Sequence, residues 1–253
     1  MIANKKVACI IPARLASTRF SEKMLKSILG KPILQWVWEA ASKVEFFDSV
    51  TIATDSEKIA SLVTDFGGKY IMTSENCESG TDRLVEVMQS KKIESDIWVN
   101  WQGDEPFITK AMISCLLQSC KDNDADMWTL KKRIESKEQI TSPNIAKVVC
   151  DLDGYALYFS RSTIPFYRDK PQDSDNVYYK HVGIYAFTTK ALQKISELKP
   201  SPLEKAEKLE QLRLLQYGLK IKIHETKQEV IGIDTQQDLI MATNHAEKLC
   251  LLI

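Results

Sequence analysis

The sequence predicts an α/β protein: a mostly parallel sheet with helices on both faces and a smaller inserted β-rich portion. Short apolar runs, typical of strands buried on both faces, alternate with helical patterns through the first half of the chain. The predicted strands are Val7–Ile11, Val50–Thr54, Lys69–Met72 and Ile97–Trp101. Repeated strand–helix units of this size favour right-handed crossovers, and so a Rossmann-like sheet.

The helices between these strands have start and stop signals. Gly30-Lys31-Pro32 opens the first helix with a proline near its first position, where a backbone N–H is not needed. Asp55 or Ser56 caps the second helix, and Gly67-Gly68 ends it. Two more helices are predicted, one over Thr81–Ser90 and one from a cap at Thr109 to about Lys121.

The second half of the chain changes character. Asp151–Gly154 joins two β-rich runs as a hairpin turn, and a further strand covers Val182–Phe187. Later elements are predicted as a helix over about Leu203–Tyr217, an exposed strand over Lys220–His224 and a C-terminal helix that begins at the capping-box-like Thr235–Asp238. We therefore expect one domain over residues 1–253, with the β-rich portion at about 125–190.

Composition excludes several classes of protein. The 253 residues carry 34 basic and 34 acidic side chains, and this zero formal charge argues against a general polyanion binder. The first apolar run, Val7–Ile11, is too short for a secretory or membrane-spanning segment. The six cysteines are scattered without zinc-ligand spacing, which indicates reduced thiols. The sequence therefore predicts a cytoplasmic protein without a membrane segment.

Phosphate chemistry is suggested by the loop after the first strand. No G-x-G occurs in the chain, so neither a dinucleotide fingerprint nor a Walker A loop is present. Pro12–Lys31 instead contains five basic side chains and one acidic one, interleaved with serine and threonine. Arginine forks and lysine ammonium groups match phosphate oxygens. A solvated basic loop is the alternative, but ligands on such sheets bind beyond the carboxyl ends of the strands.

Two carboxylates follow short apolar runs. Asp104 lies in a loop after the fourth strand, where Gly103 permits close approach of the backbone to a ligand. Asp234 ends the run Ile231–Ile233. Mg²⁺ uses one or two carboxylates plus substrate phosphates, so both are candidate ligands. An ordinary acidic turn at Asp104, and a helix N-terminus at Asp234, are the alternatives. His181, beside aromatic residues, either lines a pocket or packs.

Taken together, the loops resemble the signature of the 3-deoxy-manno-octulosonate (Kdo) cytidylyltransferases, a family of CMP-sugar synthetases. The arginine loop alone is shared with other CMP-sugar synthetases, whereas the second-half motifs are specific to the Kdo enzymes. The matching segments, which span nearly the whole chain, are Ile10–Arg19, Gly30–Pro32, Ser79–Arg83, Gln102–Pro106, Pro143–Asn144, Lys147–Val149, Tyr155–Arg161, His181–Tyr185, Pro200–Glu204, Leu209–Arg213 and Ile233–Thr235.

The resemblance implies that the anomeric hydroxyl of Kdo attacks the α-phosphate of CTP, giving CMP-Kdo and pyrophosphate for lipopolysaccharide synthesis in Gram-negative bacteria. It implies Mg²⁺ as cofactor and a homodimer formed through the β-rich portion; the zero formal charge already predicts no nucleic-acid partner. The implied catalytic residues are Arg14, Lys23, Asp104 and Asp234, of which the two aspartates are the metal ligands. The implied nucleotide-binding residues are Arg14, Arg19, Lys23, Thr81, Arg83 and Asp104. The implied sugar-binding residues are Gln102, Arg161, His181, Tyr185, Glu210 and Gln211, with Arg161 or His181 near the sugar carboxylate.

Two positions depart from the family pattern. Ser21-Glu22 stands where the family usually has Pro-Gly, which restricts the backbone and adds a negative charge beside Lys23. Cys77 stands where the family commonly has histidine. The alternative functions are a synthetase for a related 2-keto acid sugar, such as 8-amino-Kdo or a sialic acid, and a non-catalytic nucleotide-binding regulator.

Overall fold

The computed structural model describes residues 4–16, 20–169 and 176–250. The strands are β1 Val7–Ala13, β2 Ser27–Ile28, β3 Lys31–Pro32, β4 Ser49–Thr54, β5 Tyr70–Met72, β6 Ile97–Asn100, β7 Met127–Arg133, β8 Lys147–Cys150, β9 Ala156–Ser160, β10 Tyr179–Thr188 and β11 Ile221–Glu225. The α-helices are α1 Ile33–Ser42, α2 Glu57–Asp65, α3 Gly80–Gln89, α4 Lys110–Leu117, α5 Lys137–Thr141, α6 Thr189–Ile195, α7 Pro202–Glu207, α8 Gln211–Gln216 and α9 Gln236–Cys250.

The chain forms two compact units, one of residues 1–113 with 230–253 and the other of residues 114–229. In the first unit the strand order is β6-β1-β4-β5, and each of these pairings is parallel. The predicted α/β class and mostly parallel sheet are confirmed. The β-rich portion predicted at about 125–190 lies inside the second unit, which extends beyond it on both sides; the single-domain organisation stays a prediction.

The first unit brings a C-terminal segment against a loop from the middle of the chain. Ile233 donates its backbone N–H to the Asp104 carbonyl at 3.0 Å. Ala242 and Ala246 of α9 share a buried apolar cluster with Ile233 and Phe107. Burying such apolar side chains contributes roughly 25 cal/mol per Å². This packing places the two carboxylate-bearing loops side by side.

The second unit is built around β7, a strand that the sequence analysis did not predict. β7 pairs with β11 in parallel and with β10 antiparallel, while β8 pairs with β9 and, at one position, with β10. The β10–β7 register shifts between Val182 and Tyr185, which is a β-bulge. The hairpin turn predicted at Asp151–Gly154 is confirmed by hydrogen bonds across it.

Two predicted elements of the second unit were wrong in detail. The helix expected over Leu203–Tyr217 is two helices, because Lys208 takes a left-handed φ of 54° and ends α7. Such a backbone cannot continue a right-handed helix. The strand expected to be exposed at Lys220–His224 is largely buried, since it pairs with β7; His224 is only 7% exposed.

At the start of α9 the predicted cap is confirmed. Thr235 donates its backbone N–H to Asp238 Oδ2 at 2.8 Å, and Asp238 donates its N–H to Thr235 Oγ1 at 3.2 Å. Each side chain thus satisfies a backbone donor of the first turn. Asp238 also accepts the Asp234 N–H, which fixes the backbone of that residue. No helix in the described part of the chain has the length and apolarity needed to cross a bilayer.

Candidate active site

A cavity opens at the carboxyl ends of β1 and β6 in the first unit, where the sheet topology predicts a ligand site. Five of the predicted catalytic and sugar-binding residues line it: Arg14, Lys23, Gln102, Asp104 and, from the segment before α9, Asp234. The residues that line it are Pro12, Ala13, Arg14, Lys23, Met24, Cys77, Glu78, Ser79, Gly80, Arg83, Gln102, Gly103, Asp104 and Asp234.

A charged cluster of Lys23, Asp104 and Asp234 occupies one side of this cavity. The Lys23 ammonium lies 2.5 Å from Asp104 Oδ2 and 3.0 Å from Asp234 Oδ1. Its side chain is 8% exposed, against 26% for Asp104 and 45% for Asp234. Burial alone lowers the pKa of Lys23, but the two carboxylates outweigh it, and the pKa lies above its usual value. Lys23 is therefore fully charged at neutral pH.

The cluster brings together both carboxylates that the sequence suggested as metal ligands. Each has an oxygen within 3.0 Å of the same cationic nitrogen, so the two can share one positive group. No set of three or more His, Cys, Asp or Glu side chains suited to a metal occurs among the described residues. A site of two carboxylates nevertheless fits Mg²⁺, which completes its shell with substrate phosphates and water.

Lys23 owes its position to a short turn that departs from the family pattern. Glu22 precedes a 3-10 turn over Lys23–Leu25 and has a left-handed φ of 50°, a conformation that favours glycine. Its carboxylate accepts from Lys58 at 3.1 Å, so the added negative charge is paired away from Lys23. The loss of glycine therefore strains the backbone, but Lys23 still reaches the two aspartates.

The other cationic residues differ in how they face the cavity. Arg14 is exposed at the end of β1 and lines the cavity, whereas Arg19 lies outside the described residues. Arg83 lines the cavity but is 2% exposed, and its guanidinium pairs with Asp55 at 2.7 Å and with Thr73. Its charge is thus compensated, and it fixes the ends of β4 and β5 to α3. These partners were not identified from the sequence.

The matching segment Ser79–Arg83 forms the N-cap and first turn of α3. Ser79 and Asp82 form a reciprocal capping box, which holds the first turn. Thr81 lies in that turn, 5% exposed, and is not among the described residues that line the cavity. Nearby, the Cys77 thiol donates to Glu86 at 3.0 Å. Burial, followed by the Glu86 carboxylate, raises the pKa of Cys77 to about 12, so this thiol is a neutral donor.

Gln102 and Gly103 follow β6 into the same cavity. The Gln102 amide donates to Asn100 Oδ1 at 3.0 Å, and Asn100 is fully buried. A Cβ at Gly103 would lie 2.9 Å from the Pro12 carbonyl, so glycine is needed there for contact between two loops. The sequence predicted that Gly103 lets the backbone approach a ligand closely. In the structure, the close approach is to the backbone of Pro12. Asn100 was missed because a buried amide at a strand end has no sequence pattern of its own.

Five predicted sugar-binding residues belong to the second unit. His181 on β10 interacts with Gln211 on α8 and contacts the ring of Tyr185, with ring centroids 5.5 Å apart. Arg161 donates to the backbone carbonyls of Glu207, Pro143 and Lys208, so its guanidinium joins the end of α7 to the segment before β8. Glu210 lies at the N-terminal boundary of α8, directly before Gln211.

The second unit also contains a fully buried lysine near Arg161. Lys147 donates to the carbonyls of Ser142, Ile145 and Arg161, at 2.8, 2.8 and 2.5 Å. Burial lowers its pKa, and the nearby Arg161 guanidinium adds to this effect. Three carbonyl acceptors satisfy its three donors. Lys147 therefore fixes the backbone from which the Arg161 side chain extends.

Comparison with known proteins identifies the family that the sequence motifs resemble. The cytidylyltransferase family model matches residues 8–221. The 3-deoxy-manno-octulosonate cytidylyltransferase of Geotalea uraniireducens is 48% identical over 243 residues, covering 92% of this chain and 96% of that protein. The Fusobacterium nucleatum protein of the same name is 45% identical over 241 residues, with 94% and 96% covered.

Solved structures of cytidylyltransferases also match this chain. The structure of CMP:2-keto-3-deoxy-manno-octonic acid synthetase complexed with CTP matches with a TM-score of 0.89 and 42% identity, covering 96% of this chain and 99% of that one. The 4-diphosphocytidyl-2C-methyl-D-erythritol synthase of Anaerococcus prevotii shares the fold with a TM-score of 0.62 and 14% identity, with 96% and 99% covered. On sequence and structure alike, the chain belongs to the 3-deoxy-manno-octulosonate cytidylyltransferase family of cytidylyltransferases.

Proposed function

We propose that this chain transfers CMP from CTP to the anomeric hydroxyl of Kdo, releasing pyrophosphate and forming CMP-Kdo, the activated sugar for lipopolysaccharide synthesis. The observation that carries the proposal is the cavity at the ends of β1 and β6. Arg14 and Asp104 line it within segments that match the family motifs, and Lys23 lines it from the loop that follows the first of these segments. Asp234 joins them from the segment before α9.

The chemistry requires charge neutralisation and orientation more than covalent help from the protein. The α-phosphorus receives the oxygen of the sugar hydroxyl, its bond to the bridging β-phosphate oxygen breaks, and the hydroxyl proton leaves to solvent. Arg14 and Lys23 would bind the triphosphate and stabilise the negative charge that develops on pyrophosphate. Arg19 has the same proposed role on the basis of the family motif alone.

Mg²⁺ is the proposed cofactor, held by Asp104 and Asp234. When bound, it would neutralise phosphate charge and lower the pKa of the attacking hydroxyl. The two carboxylates already share one cation, Lys23, in the structure, which supports their sharing another. Asp104 and Asp234 would orient the phosphates indirectly, and Lys23 would then turn its ammonium toward a phosphate oxygen.

Substrate turnover tests the proposal directly. Incubation with CTP, Mg²⁺ and Kdo should release one pyrophosphate for each CMP-Kdo formed. Competition among Kdo, 8-amino-Kdo and a sialic acid would identify the preferred acid, and a clear preference for either rival would replace Kdo in the proposal. Tight CTP binding without turnover of any sugar acid would instead favour a regulator.

Two broader features complete the proposal. The family resemblance supports a homodimer, which sedimentation of the purified chain would test. The scattered cysteines support a cytoplasmic location; Cys9 and Cys77, for example, carry unbridged thiols. Fractionation of cells that produce the chain would test that location.

A further inference from the structure

A buried hydroxyl in the second unit has three polar neighbours. Thr129 on β7 is fully buried, and its Oγ1 lies 2.8 Å from the Ile184 carbonyl oxygen and 3.1 Å from that of Val182. The same oxygen lies 3.0 Å from His181 Nε2. The β10 bulge occurs opposite Thr129, which is why two carbonyls of that strand converge on one side chain.

The neighbours determine the direction of each hydrogen bond. A carbonyl only accepts, and a threonine hydroxyl has a single proton to donate. That proton must therefore go to the carbonyls, because two buried acceptors facing a bare oxygen would cost about 1–3 kcal/mol. Oγ1 is then left as an acceptor toward His181, so His181 Nε2 carries a proton and donates it.

The protonation of one ring nitrogen fixes the role of the other. Burial lowers the pKa of His181 to about 3, so the ring is neutral and carries only one N–H. Nδ1 is therefore an acceptor, and Gln211 Nε2, at 3.4 Å, is its donor. An amide has its nitrogen and oxygen on one carbon, so holding the nitrogen at His181 also fixes the direction of the Gln211 carbonyl oxygen.

We propose that Thr129 is a positioning residue for the sugar acid: it holds His181 in the Nε2–H tautomer and, through it, orients the Gln211 amide. This inference rests on the proposed function, because Gln211 and His181 are sugar-binding residues only within it. The neutral imidazole contributes a fixed hydrogen-bond pattern and no charge, so a carboxylate on the sugar must find its countercharge elsewhere, as at Arg161. Sugar hydroxyls would be recognised by an oriented Gln211 acceptor.

We call the hydrogen-bonded series Thr129, His181 and Gln211 the relay. Ring-nitrogen NMR tests it without reference to activity. The chain has three histidines, so ¹⁵N-histidine labelling gives three ring patterns, and the His181→Gln spectrum identifies the one of interest. We expect a neutral Nε2–H pattern for His181 at pH 7. Thr129→Val keeps the side-chain volume but removes the acceptor, and should shift His181 toward the other tautomer. Thr129→Ser keeps the hydroxyl and should restore the wild-type pattern.

Kinetics test the consequence for the substrate. Thr129→Val should raise the KM for Kdo about tenfold, the effect of one lost hydrogen-bond interaction, while the KM for CTP changes little. Thr129→Ser should recover most of the loss. Thr51→Val, a change of the same kind at a buried threonine of β4, is the matched control and should leave both KM values alone.

Several outcomes would overturn the proposal. A charged or Nδ1–H His181 in the wild-type spectrum contradicts it, even if every Thr129 variant fails to fold. An unchanged tautomer and KM in a folded Thr129→Val protein also contradict it. If no sugar acid is turned over, the proposed function and the sugar role fail together, while the tautomer shift still decides whether Thr129 controls His181.

Discussion

The charged cluster of Lys23, Asp104 and Asp234 in the first unit and the neutral relay of Thr129, His181 and Gln211 in the second hold their polar groups in different ways. In the charged cluster, one ammonium pairs with two carboxylates, at 2.5 and 3.0 Å. In the relay, burial removes the charge from the imidazole and leaves a directional hydrogen-bond pattern. Strong fields suit phosphates, whereas fixed donors and acceptors suit a sugar with many hydroxyls.

The largest expected effect lies in the charged cluster. Asp104→Asn keeps the shape of the side chain but removes its charge, and we expect kcat for pyrophosphate release to fall about 10²–10³-fold, the scale of losing a preorganised electrostatic group. Urea unfolding should show the fold intact. Asp65→Asn makes the same chemical change at an exposed position of α2 and should leave kcat unchanged. Mild effects of both Asp104→Asn and Asp234→Asn would defeat the metal assignment.

The relay should be revealed by the pH dependence of stability. His181 has a folded-state pKa of about 3, below the 6.5 of the unfolded chain. Between these values the unfolded state binds a proton that the folded state does not, so His181 makes stability fall as the pH falls. His181→Gln should remove this contribution, up to about 1.4 kcal/mol per pH unit. Urea unfolding from pH 7 to pH 5 measures it. A wild-type-minus-variant difference that stays constant over this range would contradict a neutral imidazole with a lowered pKa.

The smallest effect concerns the backbone that supports Lys23. Glu22→Gly should raise the free energy of unfolding by about 0.5–1 kcal/mol, because glycine adopts the left-handed conformation without a Cβ penalty. Glu22→Ala removes the same exposed ion pair with Lys58 but keeps the Cβ, so it should give no such gain. Equal stabilities of the glycine and alanine variants in urea would show that this backbone carries no strain.

The parts of the charged cluster differ in how far the sequence alone could predict them. Asp104 and Asp234 are carboxylates that follow short apolar runs, and Lys23 lies in the basic loop after β1. Parallel strands bring their carboxyl ends to one edge of the sheet, so a charged cavity there could be anticipated. Their mutual distances could not, because they depend on the backbone contact between Ile233 and Asp104. The residue types therefore indicate the kind of ligand, whereas the distances between the side chains depend on tertiary packing.

Thr129 shows where sequence reasoning stops. It lies in a strand that ends in Lys131-Lys132-Arg133, a charged run that conceals the β pattern, and β7 was not predicted. Its partners come from a bulge on β10, and a bulge has no signature in Val182–Ile184 beyond one glycine. The break at Lys208 was missed for a related reason, since lysine favours helices and its left-handed φ is imposed by tertiary structure.

The bridging lysine of the charged cluster bears on how the protein is made and stored. Because the Lys23 ammonium pairs with both aspartates, we expect the chain to hold these two carboxylates together during folding without a divalent cation. It should fold and survive in chelating buffer, unlike small proteins whose core is completed by a metal. Under the proposed function, Mg²⁺ would then bind during the catalytic cycle, together with the nucleotide, and would not be needed while the protein is made.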